Sequence, residues 1–219
     1  MRGLTPHYSM KKEGIIFVIS GPSGGGKGTV CEELRRMNPD TAISVSATTR
    51  SPRAGEVDGV NYHFMTKEHF LELVSRGEVL EHTVYNGNYY GTLRSEAEKI
   101  ISQGRDLILE IEVDGGGQIK RLMGDSVCGI MLIAPDAAEQ ERRLRGRGTE
   151  DEAVIAGRLA RAKEEIKEAP NYDYIVINET GKTAECAAAI MAIMNAEHYS
   201  YSRMKEVTDH YFDQHQSDI

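Results

Sequence analysis

The chain has 219 residues, 40% of them hydrophobic, enough for one substantial core, and its net charge of −8 argues against an extended surface for nucleic acid or anionic membrane. Against that acidic background, a local cluster of arginines marks a small anionic ligand. No apolar stretch approaches a membrane span, and Cys31, Cys128 and Cys186 show neither CxxC nor Cys/His spacing; a soluble, cytoplasmic protein with buried, reduced cysteines is expected, rather than a disulfide or zinc framework.

Residues 1–13 read as a loose leader, and the first core element is the apolar strand Ile15-Ile16-Phe17-Val18-Ile19. It runs straight into Gly21-Pro22-Ser23-Gly24-Gly25-Gly26-Lys27-Gly28-Thr29, a G-x-x-x-x-G-K sequence at a strand-to-helix junction. The glycines let the backbone curl so that N–H groups face phosphate oxygens, the helix directs its positive dipole end there, and Lys27 can reach the β- and γ-phosphates. A nucleoside triphosphate is the expected ligand. Gly28 stands where Ser or Thr is usual, so the hydroxyl expected on Mg²⁺ moves to Thr29, a variant closer to the phosphate loops of nucleoside monophosphate kinases than to those of GTPases.

Val30 to Met37 continues the helix as far as Asn38-Pro39, and Ala42 to Ser46 is a β-prone run, which makes a βαβ start. In the loop Ser44 to Glu56, Arg50 and Arg53 bracket Pro52. Two guanidinium forks held close by a stiff turn suit a dianionic monophosphate, with a merely solvated basic loop as the alternative. From Val60 to Tyr90 the pattern is a small mixed insertion: β-like pieces at Asn61–Phe64, Val79–Val84 and Asn88–Tyr90 around a helix from Lys67 to Arg76. Tyr62 and Tyr90 offer phenol donors to the same phosphate. The Glu81 carboxylate can accept two parallel hydrogen bonds from the N1–H and amino edge of guanine, and would face an acceptor on adenine; a hydroxyl from Ser46 or Thr92 can read the O6 side.

Asp106 to Val113 reads as a core strand of period two, with Glu110 and Glu112 on one face, and Val127–Ile133 and Tyr174–Asn178 as further strands. Asp136 to Glu168 is charged and helical in pattern, interrupted by Gly146-Arg147-Gly148, where two glycines permit a hinge; it reads as a mobile flap. Thr183 to Met204 reads as a terminal helix. The alternation of strands and helices is that of one α/β domain carrying insertions.

These strings, with Tyr89-Tyr-Gly-Thr92, Arg143-Leu-Arg-Gly-Arg-Gly-Thr149 and Tyr172-Asp-Tyr-Ile-Val-Ile-Asn178, resemble the guanylate kinase family from about Gly14 to Met194. The resemblance implies a P-loop NTPase-type three-layer core with a parallel sheet (residues 14–45, 98–137 and 161–194), a small mixed α/β GMP-binding insertion (46–97) and a helical lid (138–160), with 195–219 as a C-terminal extension. It implies phosphoryl transfer from ATP to GMP, and to dGMP, with Mg²⁺ as cofactor and Thr29 on the metal, by a monomer or homodimer. By matching position it puts Gly21 to Thr29 and Asn178 on ATP, and Ser46, Arg50, Arg53, Tyr62, Glu81, Tyr90, Gly91, Thr92, Glu110 and Glu112 on the GMP side. Lys27, Arg50, Arg143, Arg147 and Arg158 are the implied catalytic charges. Glu110 and Glu112 are each a methylene longer than the family's usual Asp-x-Asp, Leu93 stands where proline is common, and Ala134-Pro135-Asp136 replaces a Pro-Pro-Ser type sequence. A catalytically silent binding module and a kinase for another monophosphate, such as UMP or AMP, are the competing readings.

Overall fold

The structure, a computed structural model, describes residues 13–146 and 151–211. In chain order the first half contains β1 (Ile16–Ser20), α1 (Lys27–Met37), β2 (Ala42–Ile43), β3 (Ala47–Thr48), β4 (His63–Phe64), α2 (Lys67–Ser75), β5 (Val79–Tyr85), β6 (Asn88–Leu93) and α3 (Arg94–Ser102). Then come β7 (Leu107–Glu110), α4 (Val113–Met123), β8 (Val127–Ile133), α5 (Ala137–Arg145), α6 (Glu152–Glu165), β9 (Tyr174–Ile177), α7 (Thr183–Glu197) and α8 (Tyr201–Asp209).

Five strands form a wholly parallel sheet in the order β2-β7-β1-β8-β9. The apolar run of β1 has no polar alternation because both of its faces are covered. Ile15, Phe17 and Ile19 pack with Val30 and Leu34 of α1 and with Ala187, Ile190 and Met194 of α7. Ile16 and Val18 face the opposite way, onto Ala97 of α3, Ile119 of α4 and the sheet residues Leu107 and Leu109. Each fully buried side chain of this size contributes about 1.5–3 kcal/mol, so the central strand holds the three layers together.

The second sheet, β4-β3-β6-β5, has its own small core in which Phe70 of α2 packs against Ala47 and Val79. The expected single run Ala42–Ser46 is divided between the two sheets. The Ser44 N–H still donates to Ile108 O of the core (3.1 Å), while Ser46 O already accepts from the His63 N–H of the second sheet (2.9 Å). The chain therefore changes sheet at Val45. Gln118 of α4 ties the sheets together, accepting from His82 N (3.2 Å) and donating to His82 O (3.1 Å) on β5.

Two further expectations require correction. The strand expected to reach Val113 stops at Glu110, because Glu112 is the N-cap of α4 and Val113 its first residue, so the pleat does not place Glu110 and Glu112 on one strand face. Helix α4 forms despite Gly115-Gly116-Gly117, each about 1 kcal/mol poorer than alanine in a helix, because its glycines admit neighbours: a Cβ on Gly116 would lie 2.7 Å from the Tyr172 hydroxyl. The terminal helix is broken at His198–Ser200 into α7 and α8, with His198 Nε2 paired to Asp106 Oδ2 at 3.0 Å. The flap segment is helical on both sides of the expected interruption, as α5 and α6, followed by a 3-10 turn over Ile166–Asn171 containing Pro170; Arg147 and Gly148 lie outside the described residues, as does the leader up to residue 12.

Phe17 sits in the middle of the sheet with no exposed surface. Phe17→Ala is expected to lower the unfolding free energy by about 3–5 kcal/mol, measured by denaturant titration; a loss below 1 kcal/mol would contradict the packing described.

Candidate active site

The loop between β1 and α1 is held from below. Gly21 (φ +153°) and Gly26 (φ +91°) take backbone angles that side chains disfavour, and a Cβ on them would meet Leu132 O at 2.0 Å and Asn178 Nδ2 at 2.4 Å. Asn178, just past β9, donates from Nδ2 to Gly25 O (2.9 Å). Arg143 of α5 donates to Gly24 O (3.5 Å), Gly25 O (3.4 Å) and Asn178 O (2.6 Å), and is steadied by Glu139 (2.7 Å). Gln140 binds Ser23 O at 2.8 Å. With these carbonyls occupied, the N–H side of the loop and the uncapped start of α1 face the cleft. Lys27 spans the loop, donating to Gly21 O (2.6 Å) and lying 3.5 Å from Glu112 Oε1. Thr29 donates from Oγ1 to Gly26 O at 3.2 Å.

A cleft of about 620 Å³ runs from this loop to the second sheet. Pro22, Ser23, Gly24, Gly26, Lys27, Gly28 and Thr29 line one end; Ser46, Tyr62, Glu81, Tyr90 and Gly91 line the other. Glu110, Glu112 and Arg158 stand between them, and Arg158 Nη1 reaches Ser23 Oγ at 3.3 Å. Glu81 is only 4% exposed. Its Oε1 accepts from the Thr92 hydroxyl at 2.9 Å, and its Oε2 lies 2.8 Å from where a Cβ on Gly115 would be, so that glycine makes room for the carboxylate. Burial raises the Glu81 carboxyl above its ordinary range, with the Thr92 hydrogen bonds opposing. Burial raises Glu110 likewise, with Lys27 opposing and Glu112 reinforcing.

Arg50 makes a two-pronged pair with Glu56 (2.9 and 2.8 Å) and lies over the rings of Tyr62 and Phe64, 5.3 and 5.7 Å from their centroids. That pair, with the Arg53 N–H, lowers the Glu56 carboxyl to about 2. The Tyr62 and Tyr90 rings meet edge to face at 6.0 Å. Thr92 is buried behind Glu81, Gly25 and Asn178 are buried beneath the loop, and Arg53 is exposed on the surface of its turn. Sequence reasoning missed Gly115 and Gln118, whose roles depend on α4 lying against β5, and Arg161 and Glu165, which join the cleft wall from α6 through their own ion pair (2.7 Å). Spacing carried no signal for any of them.

The sign of the Glu81 shift gives a pH test. A raised folded value means that its stabilising contribution is present below the unfolded value of 4.5 and is lost as pH rises through the folded value. Glu81→Gln should therefore melt higher than the unsubstituted protein at pH 7, by roughly 2–4 °C per kcal/mol recovered, and the gap should close below pH 4.5; an equal or lower melting temperature at pH 7 would contradict it.

The guanylate kinase family model matches residues 13–196. The guanylate kinase of Clostridioides difficile is 45% identical over 196 residues, covering 90% of this chain and 94% of that protein. That of Halalkalibacterium halodurans is 46% identical over 196 residues, covering 90% and 95%. The crystal structure of guanylate kinase from Anaplasma phagocytophilum aligns with a TM-score of 0.68 at 33% identity, covering 88% of this chain and 90% of that one, and shares the P-loop NTPase fold. Matched by the family model over residues 13–196 and by relatives 45–46% identical over most of both chains, the chain belongs to the guanylate kinase family.

Proposed function

We infer that the cleft transfers the γ-phosphoryl group of ATP to GMP, giving ADP and GDP, by in-line displacement without a covalent enzyme intermediate. The chain is an ATP:GMP phosphotransferase of this family. The observation that carries the reading is that one continuous cleft joins the phosphate loop to the sheet bearing Glu81, so a triphosphate and a guanine nucleotide can meet end to end. A silent binding module is not favoured, since Lys27 and the whole phosphate loop are in place, nor is a kinase for another monophosphate, since Glu81 with Ser46 and Thr92 suits the guanine edge.

At the donor end, the N–H groups of the loop and Lys27 hold the β- and γ-phosphates, with Arg158 nearby and Arg147 as a further charge from the segment between α5 and α6. Such arginines are worth roughly 10³ to 10⁵ in rate in other phosphoryl-transfer enzymes. Arg143, expected among these charges, supports the loop from beneath through the Gly24 and Gly25 carbonyls. At the acceptor end, Arg50, Arg53, Tyr62 and Tyr90 take the monophosphate, while Glu81, Ser46, Gly91 and Thr92 form the guanine pocket; dGMP is a second acceptor. The second sheet has its own small cluster of buried side chains, while Leu80 and Ala97 join the main core, which supports treating 46–97 as an insertion seated on the core formed by 14–45, 98–137 and 161–194, with 138–160 closing as a lid to exclude water. Residues 195–219 form an extension, and Arg203 of α8 reaches Asp125 O and Ser126 O at the base of the core (3.4 and 3.5 Å).

A divalent metal accompanies ATP in this family, and Mg²⁺ is the proposed ion. The residues fit it: Thr29, Glu110 and Glu112 bring oxygens to the cleft, and beside Gly28 there is space that a Cβ would fill. When bound, the ion neutralises charge on the transferring phosphoryl group. Among the described residues no helix is long and apolar enough to cross a membrane. Cys31, Cys128 and Cys186 are free and buried, and burial pushes the first two thiols up to about 12 and the third to about 11. Such inert thiols support a reducing, cytoplasmic setting.

Lys27→Ala is expected to reduce kcat by 10³-fold or more, on the order of other lost phosphoryl-transfer charges, while GMP affinity is retained; intact turnover would overturn the role given to Lys27. In a coupled ADP-release assay GMP and dGMP should turn over, with AMP, UMP and CMP lower in kcat/KM by about 10³-fold or more. Equal rates with AMP and GMP would sink the reading of Glu81, and no turnover with any acceptor would sink the reading of the cleft.

A further inference from the structure

Tyr172 stands where three elements meet. It leads from the 3-10 turn Ile166–Asn171 into β9, and its hydroxyl hydrogen-bonds that of Ser20, the fully buried last residue of β1. Two glycines clear its path: a Cβ on Gly129 of β8 would lie 3.3 Å from its ring, and one on Gly116 of α4 would lie 2.7 Å from its hydroxyl. The ring therefore passes between α4 and the sheet. The next residue fixes its backbone, since the Asp173 carboxylate accepts from Gly129 N (2.7 Å) and from Lys120 of α4 (2.9 Å), and the Asp173 N–H donates to Gly129 O (2.9 Å). With its backbone anchored and its ring flanked, the phenol is a spacer of set length.

Both ends of the cleft border that spacer. Ser20 precedes Gly21, whose carbonyl accepts from the Lys27 ammonium (2.6 Å), so the place at which Ser20 is held is passed on to the phosphate loop. On α4, Gly115 faces the Glu81 carboxylate, while Gly116 faces the Tyr172 hydroxyl and the Ser20 hydroxyl, the latter 3.3 Å from where its Cβ would be. Successive residues of a helix diverge by about 100°, which is how one turn of α4 meets the acceptor pocket with one residue and the end of β1 with the next.

We propose that Tyr172 is a positioning residue for phosphoryl transfer: its phenol, inserted between α4 and β8, spaces α4 from the end of β1 and so holds the phosphate loop and the Glu81 pocket at the separation at which the two nucleotides meet in line. The proposal rests on the cleft being the ATP:GMP site. Tyr172 touches neither nucleotide, so each half-site binds its own ligand without the hydroxyl. What the hydroxyl supplies is the alignment of the two, and its loss falls on the transfer step.

A double-mutant cycle tests this. Turnover is measured below the melting transition of every variant, and the separate dissociation constants of GMP and the ATP analogue AMP-PNP by calorimetry, for Tyr172→Phe, Ser20→Ala, Gly116→Ala and Tyr172→Phe combined with each of the other two. Tyr172→Phe and Ser20→Ala should each lower kcat by about tenfold or more, since a misplacement of about 1 Å can cost about 10²-fold. Both separate dissociation constants should stay within about twofold, the scatter of independent sites. Gly116→Ala, whose methyl meets the hydroxyl, should lower kcat further, and adding Tyr172→Phe should raise it again. The proposal is overturned if Tyr172→Phe keeps full kcat whatever its melting temperature, if the loss falls on either separate dissociation constant, or if Tyr172→Phe brings no recovery beside Gly116→Ala. Should Gly116→Ala not fold, equal losses in Tyr172→Phe, Ser20→Ala and their combination support the spacer, and additive losses overturn it. Failure of the parent reading would look different: the unsubstituted protein would release no ADP in response to GMP.

Discussion

The arrangement depends on a phosphate loop whose carbonyl oxygens are tied down on one side. A peptide unit directs its C=O and N–H in opposite directions, so a carbonyl engaged beneath the loop turns its own N–H away from that side; the Gly25 N–H closes the loop on Pro22 O (3.0 Å). Asn178 and Arg143 bind the carbonyls of Gly24 and Gly25, and Gln140 binds that of Ser23. The close approach of the backbone to Leu132 O at Gly21 then fixes the height of the loop above β8. Residues from three separate parts of the chain, at the ends of β1 and β9 and on α5, have to converge before the anion site exists. Packing of the central strand makes that convergence stable, and this is why the most apolar segment of the sequence lies next to its most polar function.

The acceptor end works by the opposite logic. Glu81 is buried beside Thr92 and Gly115 with a raised carboxyl, an expensive group for the fold to carry. Such costs are tolerated where the group has a ligand to meet. They also account for the poor helix former at Gly115: a side chain there would collide with the carboxylate, so α4 gives up propensity to keep the pocket open. Clamping of β5 by Gln118 holds the strand that carries Glu81 at the distance this arrangement needs.

Much of this was legible in the sequence because it is local. The phosphate loop announces itself by glycine spacing between a strand and a helix, and β1 by its uninterrupted apolar run. Arg50 with Arg53, and Glu81 within a short strand, could be singled out as chemistry-bearing without coordinates. Less local features were not legible. The end of β7 at Glu110 depends on α4 beginning at Val113 through a run of three glycines, a choice that intrinsic propensity disfavours and tertiary contact reverses. The division of 42–46 between two sheets depends on which partners Ser44 and Ser46 find. Glu56 as the partner of Arg50 required the turn to be closed before the two side chains could be seen to meet.

That last contact has an entropic side. A free arginine samples many rotamers, and immobilising such a side chain on binding costs about 0.5–1.5 kcal/mol. Arg50 has already met that cost during folding: Glu56 grips both prongs of its fork and the Tyr62 and Phe64 rings lie under its plane. An anion arriving at this turn encounters a guanidinium with its direction set, and exchanges one partner for another without first having to search for it. The acid that competes for the charge is therefore also the jig that aims it.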